Sequence, residues 1–207
     1  MIEYSSEIFA AHALAGLGAY FLGSIPFGIV IARLFGLGDL RQIGSGNIGA
    51  TNVLRTGNKS AAFLTLVLDI GKGAIAVGIT HLMTTDPYAM LAAGFWAVIG
   101  HNFPVWLKFK GGKGVATTLG VLVATAWPVG LAAIATWIAA AAIFRYSSLA
   151  ALIALAAAPA YSFYFATPQH AIMAGLLAIL AWARHHENIR RLLKGEESKI
   201  SKKKKSA

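Results

Sequence analysis

The sequence predicts an all-α, polytopic integral membrane protein of about seven membrane-crossing helices, with its N-terminus outside and its C-terminus in the cytoplasm. Three observations carry that expectation. Of 207 residues, 57% are hydrophobic and only 13% charged, and mean hydropathy is +0.65, far above that of a water-soluble domain. Long apolar runs recur along the whole chain. The polar segments between them alternate between basic and nearly uncharged, as the positive-inside rule requires of loops on opposite membrane faces. No polar stretch is long enough to build a soluble domain. Residues 1–207 are therefore read as one membrane-embedded unit, with 184–207 as an interfacial helix and basic cytoplasmic tail.

The first apolar run covers residues 8–35. Glu3 and Glu7 stand where a signal peptide would place cations, so the run is expected to be a retained helix. Segment 36–59 carries Arg41, Arg55 and Lys59 and belongs in the cytoplasm. Runs 60–82 and 88–107 follow. The turn between them, Thr84–Pro87, has an acid and no base, which suits the outer face. Lys108, Lys110 and Lys113 bring the chain back inside.

Run 115–144 decides the count. As one crossing it would put Arg145 and the basic tail outside, against the charge rule. A hairpin broken at Trp127–Pro128 avoids this, because proline breaks helices. Each half is then about 14 residues, some 21 Å long, and short against a hydrocarbon core of about 30 Å. A single tilted helix, giving six crossings, is the competing arrangement. Runs 148–165 and 168–184 complete the set, with an outer turn at Thr167–Pro168. Ile189, Leu192 and Leu193 then form an apolar strip opposite basic residues, the pattern of an interfacial helix. Lys202–Lys205 reads as a solvated end near anionic lipid.

With no cysteine in the chain, disulfides, thiolate metal sites and cysteine nucleophiles are excluded. A net charge of +10 with eight carboxylates points to an anionic membrane face or an anionic substrate.

The polar segments placed in the cytoplasm hold the chemistry. Gly44–Asn52, GSGNIGATN, contains the pattern G-x-G-x-x-G, and Asp69 lies at the spacing of a dinucleotide-binding acid. No strand pattern precedes the glycines and Asp69 sits inside an apolar run, so a nucleotide fold is rejected. The physics of the motif survives: glycines let backbone N–H groups close around an anion. Gly44, Gly46 and Gly49 supply that freedom. Ser45, Asn47, Thr51 and Asn52 add hydrogen-bonding groups, and Arg55 and Lys59 add charge. The segment is read as a phosphate loop, the simpler alternative being a turn between helices.

A second cluster, Lys108–Thr118, sets Lys113 among Gly111, Gly112 and Gly114 at the start of an apolar helix, another anion-binding arrangement. Lys113 is the expected substrate contact; Lys108 and Lys110 are expected at the membrane interface. A third segment, Arg184–Lys194, brings His185 and Asn188 to one helix face, and Ser147 and Ser148 can reach it. His101 and Asn102 fall in an apolar run, where a satisfied core histidine is the preferred reading. Asp69 and Lys72, spaced i,i+3, can pair within the membrane either as a strut or as a functional group. His81 and Asp86 match H-x-x-x-x-D, the catalytic pattern of one class of glycerolipid acyltransferases, but lie on the outer side and are read as coincidence.

GSGNIGATN at 44–52 and FKGGKGVAT at 109–117, together with RHHENIRRLLKGEE at 184–197, resemble the bacterial acyl-phosphate:glycerol-3-phosphate acyltransferases, the PlsY family. The resemblance implies a seven-helix enzyme of phospholipid synthesis in the cytoplasmic membrane. It would move a fatty acyl group from acyl phosphate to the 1-position of glycerol 3-phosphate, releasing lysophosphatidic acid and phosphate. Gly44, Ser45, Gly46, Asn47, Gly49, Thr51 and Asn52 would hold acyl phosphate. Arg55, Lys113, Ser148, His185 and Asn188 would hold glycerol 3-phosphate, with Ser45, Arg55, Lys113, His185 and Asn188 catalytic. No metal or cofactor is expected. The partners implied are the two substrates, membrane lipid and a functional link to the enzyme that makes acyl phosphate; nucleic acid is not among them. A membrane carrier for a small organic phosphate is the competing reading, disfavoured by outer turns that are short and nearly featureless.

Overall fold

The computed structural model describes residues 6–200, and among them every regular element is helical. Glu3 and the run Lys202–Lys205 lie outside the described residues. The helices are α1 (Ser6–Gly23), α2 (Phe27–Leu34), α3 (Ala50–Leu54), α4 (Lys59–Met83), α5 (Pro87–Asn102), α6 (Val115–Thr125), α7 (Trp127–Phe144), α8 (Ser147–Phe165), α9 (Pro168–Arg184) and α10 (His186–Leu193). Short 3-10 turns occupy Leu40–Gln42 and Val105–Leu107.

Among the described residues, five apolar helical stretches are long enough to cross a bilayer: Ala11–Leu34, Lys59–Met83, Pro87–Leu107, Trp127–Phe144 and Ser147–Phe165. Helices α6 and α9 are apolar but shorter, at 11 and 17 residues. The first stretch is not the uninterrupted run expected from its hydropathy. It parts at Ser24–Pro26, because the Pro26 ring would clash with the Leu22 carbonyl in a continuing helix.

Residues 115–144 form two helices, parted at Ala126 rather than at Trp127–Pro128. Proline in the first turn lacks only an N–H that has no intrahelical partner there, so Pro128 opens α7. Pro87 and Pro168 open α5 and α9 in the same way. The two halves turn back on each other. Lys113, just before α6, and Ser148, just after α7, join one hydrogen-bonded chain through Asn188 and Glu197. The halves are unequal, α6 rising only about 16 Å.

One end of the bundle therefore gathers the 35–58 loop, the 103–114 loop, the start of α8 and α10. The opposite end carries His12 paired with Asp86 at 2.7 Å and His170 Nε2 3.3 Å from the Thr125 carbonyl oxygen. Asp86 also caps α5 through the Tyr88 N–H, and His81 is exposed. Asp86 thus serves a helix start and an interhelical pair with His12 rather than with His81.

Small residues set the helix contacts, as in membrane bundles generally. A methyl group at Gly120 would fall 2.1 Å from the Ile70 carbonyl oxygen, so α6 lies against the backbone of α4. The core between α4, α5, α6, α8 and α9 is filled by Val77, Val98, Leu122, Leu155 and Leu177, while Phe163, Tyr164 and Ile179 face outward. Gly120→Ala should destabilise the fold by about 1–3 kcal/mol through overpacking. Gly175→Ala, with nothing within 4 Å, should leave the thermal midpoint in detergent unchanged.

Candidate active site

The first loop is held in shape from within. Gly44 and Gly46 take left-handed φ values of +55° and +68°, where side chains are rarely accommodated. Asn52 is buried and its amide is committed to the loop. Its Oδ1 accepts from the Ser45 N–H at 3.1 Å and faces Ser45 Oγ at 3.4 Å; its Nδ2 donates to the Leu40 carbonyl at 2.9 Å. Asn47 Oδ1 accepts from the Ile48 N–H. Gly49 precedes α3 in extended geometry. Arg55 folds back over Gly44: a methyl group there would lie 2.7 Å from Arg55 Cδ. Thr51 Oγ1 reaches Ser147 Oγ at 3.0 Å, joining this loop to the start of α8.

The second loop is recessed. His101, just before it, lies 3.7 Å from Asp69, a residue about three turns into α4. Gly112 N–H donates to the His101 carbonyl and Gly111 N–H to that of Asn102. Gly112 packs on the imidazole so closely that a methyl group would lie 2.1 Å from Nε2. Gly114, at φ +79°, starts α6, whose first N–H groups have no intrahelical acceptor. Lys113 bonds Asn188 Oδ1, whereas Lys108 and Lys110 are exposed. Asp69 pairs with Lys72 at 2.8 Å, and Lys72 also donates to the Ile25 carbonyl at the α1–α2 break. The i,i+3 pair that the spacing allowed is thus formed, and it is buried.

The third segment closes the site. His185 is buried, and its Nδ1 lies 2.7 Å from the Ala181 carbonyl oxygen. That acceptor requires the proton on Nδ1 and leaves the Nε2 lone pair free in the neutral ring. Burial pushes the imidazole down to about 4, so it is uncharged near pH 7. Burial and the Arg191 guanidinium push Lys113 down to about 8.

Sequence reasoning gave no role to Glu197. Its carboxylate accepts from Ser148 Oγ and Asn188 Nδ2 at 2.7 Å each, and from Arg191 Nε at 2.6 Å. Burial opposes its charge, but these three donors outweigh it and hold the carboxyl below its usual range. The Ile200 N–H donates to the Arg145 carbonyl, so residues 195–200 lie across the start of α8. Among hydrophilic residues near a basic tail, a glutamate reads as solvated; only the Gly195 bend after α10, with φ +71°, hinted that the chain returns.

Part of the expected set comes together, while Ser45, Asn47 and Arg55 make their contacts within the first loop. Thr51 meets Ser147, and Ser148, Glu197, Asn188 and Lys113 form one chain, with His185 a turn before Asn188. The family model for glycerol-3-phosphate acyltransferase matches residues 13–195. The chain belongs to the glycerol-3-phosphate acyltransferase family. The family's enzyme from Rhodospirillum rubrum is 64% identical over 201 residues, covering 94% of this chain and 93% of its own. That from Paramagnetospirillum magneticum is 64% identical over 192 residues, covering 93% and 95%. Two crystal structures of PlsY, an integral membrane glycerol 3-phosphate acyltransferase, have the same fold. The glycerol 3-phosphate form superposes with TM-score 0.86 at 40% identity over 92% of this chain and 96% of that one. The lysophosphatidic acid form gives 0.82 at 38%, over 91% and 94%. Membership makes this chain a membrane acyltransferase and removes the carrier reading.

Glu197→Ala should free residues 195–200 and leave Asn188 and Arg191 without their acceptor. A loss of about 3 kcal/mol is expected, read as a lower thermal midpoint and faster proteolysis beyond Lys194.

Proposed function

We propose that this protein transfers a fatty acyl group from acyl phosphate to the 1-hydroxyl of glycerol 3-phosphate, giving lysophosphatidic acid and inorganic phosphate. The observation that carries the reading is the convergence of two glycine-and-cation loops at one end of the bundle, one of them recessed beside α4. Two phosphate-bearing substrates require two anion stations, and the PlsY structures are described as glycerol 3-phosphate and lysophosphatidic acid forms.

That end faces the cytoplasm of a bacterial inner membrane in our reading, with seven crossings and the N-terminus outside. Support comes from charge. Apart from Lys72 and the undescribed run Lys202–Lys205, every Lys and Arg lies at the end bearing the site, as the positive-inside rule asks.

Ser45, Asn47, Thr51 and the N–H groups of the Gly44–Gly49 loop hold the donor phosphate, with Asn52 keeping the loop in form. Arg55, Lys113, Ser148, His185 and Asn188 hold glycerol 3-phosphate. The acyl chain lies among apolar helices, each buried methylene contributing about 0.8 kcal/mol. The recess of Lys113 draws the acceptor down toward the acyl carbonyl carbon. The glycerol 1-hydroxyl oxygen attacks that carbon, an ester bond forms and the acyl–phosphate C–O bond breaks. The hydroxyl proton passes to an oxygen of the departing phosphate. His185, neutral with Nε2 free, accepts a hydrogen bond from glycerol and orients it. Orientation and cation stabilisation of the developing charge supply the rate.

Purified protein given acyl phosphate and glycerol 3-phosphate should release phosphate, and acyl-CoA should not replace the donor. Equal rates with acyl-CoA would defeat the assignment. Arg55→Ala should raise KM for glycerol 3-phosphate about tenfold or more, a charge-assisted contact being lost. Activity should fall above pH 8, where Lys113, pushed down to about 8, loses its charge. An acid limb in kcat that His185→Gln abolishes with KM unchanged would instead give the proton to the imidazole.

A further inference from the structure

Lys113 stands on a loop of glycines, which by themselves hold no side chain in place. The groups that fix this loop come from two directions. From α5, the His101 and Asn102 carbonyls take the N–H groups of Gly112 and Gly111. From α9, Arg184 takes the carbonyls of the same two glycines: Nε lies 3.3 Å from the Gly112 oxygen and Nη2 3.1 Å from the Gly111 oxygen. The guanidinium also rests 5.1 Å from the centre of the Phe103 ring, which fixes its plane. Each of the two glycines before Lys113 thereby has both its N–H and its carbonyl engaged. Arg184 precedes His185 in sequence, so one helix terminus sets the loop bearing Lys113 and also the imidazole.

We propose that Arg184 is the positioning residue for Lys113, its two-pronged grip on the Gly111 and Gly112 carbonyls aiming the ammonium at the acceptor's phosphate. The proposal rests on the reading of Lys113 as a glycerol 3-phosphate contact. A lysine in place of Arg184 carries the same charge but is a single-point donor and cannot span two successive carbonyls. Charge and geometry can therefore be separated. The groups facing Lys113 are Arg191, Glu187 and Asn188 of α10, Glu197 of the closing segment, and Arg184 and His185 at the end of α9. Arg184 is one of the cations that lower the pKa of Lys113. Removing it, or letting the loop loosen into water, shifts that pKa upward in either case.

The test compares wild type, Arg184→Gln and Arg184→Lys in detergent micelles. Steady-state kinetics with glycerol 3-phosphate varied should show KM about tenfold higher in Arg184→Gln, on the scale of hydrogen bonds from a charged group, with kcat within about threefold. Arg184→Lys should leave KM raised and move the alkaline limb above pH 8, because the loosened loop hydrates the ammonium although the charge is kept. Independently of turnover, carbon-13 methylation of the lysines, with Lys113→Arg to assign the signal, reads Lys113 titration by NMR. Its midpoint should rise above that of wild type in both variants, and the rise in Arg184→Lys, where the charge is kept, reads the loosened loop alone. An unchanged KM and midpoint in Arg184→Gln would overturn the proposal, as would full restoration of KM by lysine. A wild type with no dependence of glycerol 3-phosphate KM on Lys113 itself would refute the phosphate contact instead, and the NMR midpoint would still judge whether Arg184 sets the loop.

Discussion

A chain of charge-assisted hydrogen bonds, Lys113 to Asn188 to Glu197 to Ser148, ties together parts of the molecule that lie far apart in sequence. Each link is directional and partly or wholly removed from water, and such bonds are roughly twice as strong as neutral ones. The helices could pack by their apolar faces in many registers. This polar chain requires the start of α6, the start of α8, α10 and the closing segment to arrive at one place. The loop architecture of the site follows from that requirement.

The membrane explains why these loops are so heavily bonded. Irregular backbone at membrane depth is tolerated only where protein or water satisfies its polar groups. The second loop sits beside a residue three turns into α4, and its glycine N–H and carbonyl groups are met by His101, Asn102 and Arg184. The Asp69–Lys72 pair belongs to the same layer. A buried pair is weak evidence for stability, but it ties α4 to the broken α1–α2 backbone through Ile25, directly behind His101.

Much of this was legible in the sequence. Glycine with cation is a local signal, and GSGNIGATN and FKGGKGVAT marked the two glycine loops at the end of the bundle that bears the candidate site. Charge asymmetry forced the turn within 115–144 that hydropathy alone would have missed. What escaped was set by tertiary contact. Pro128 was read as a stop, although a proline has positional meaning and here opens a helix. The break at Ser24–Pro26 was hidden inside an apolar run. Asn52 looked like a ligand group but is engaged by Ser45 and Leu40. Glu197 reaches back 49 residues to Ser148 and Arg184 72 residues to Gly112, and no periodicity encodes that.

The position of Glu197 bears on how the molecule is made. Synthesis proceeds from the N-terminus, and every apolar stretch from Ala11 to Arg184 precedes this carboxylate. The helices can enter the bilayer and pack while the ribosome is still translating, but Ser148, Asn188 and Arg191 wait for a residue that emerges last among them. Insertion and competence are thus separate events in biogenesis. A nascent chain halted before position 197 would occupy the membrane without the clasp that assembles its polar end.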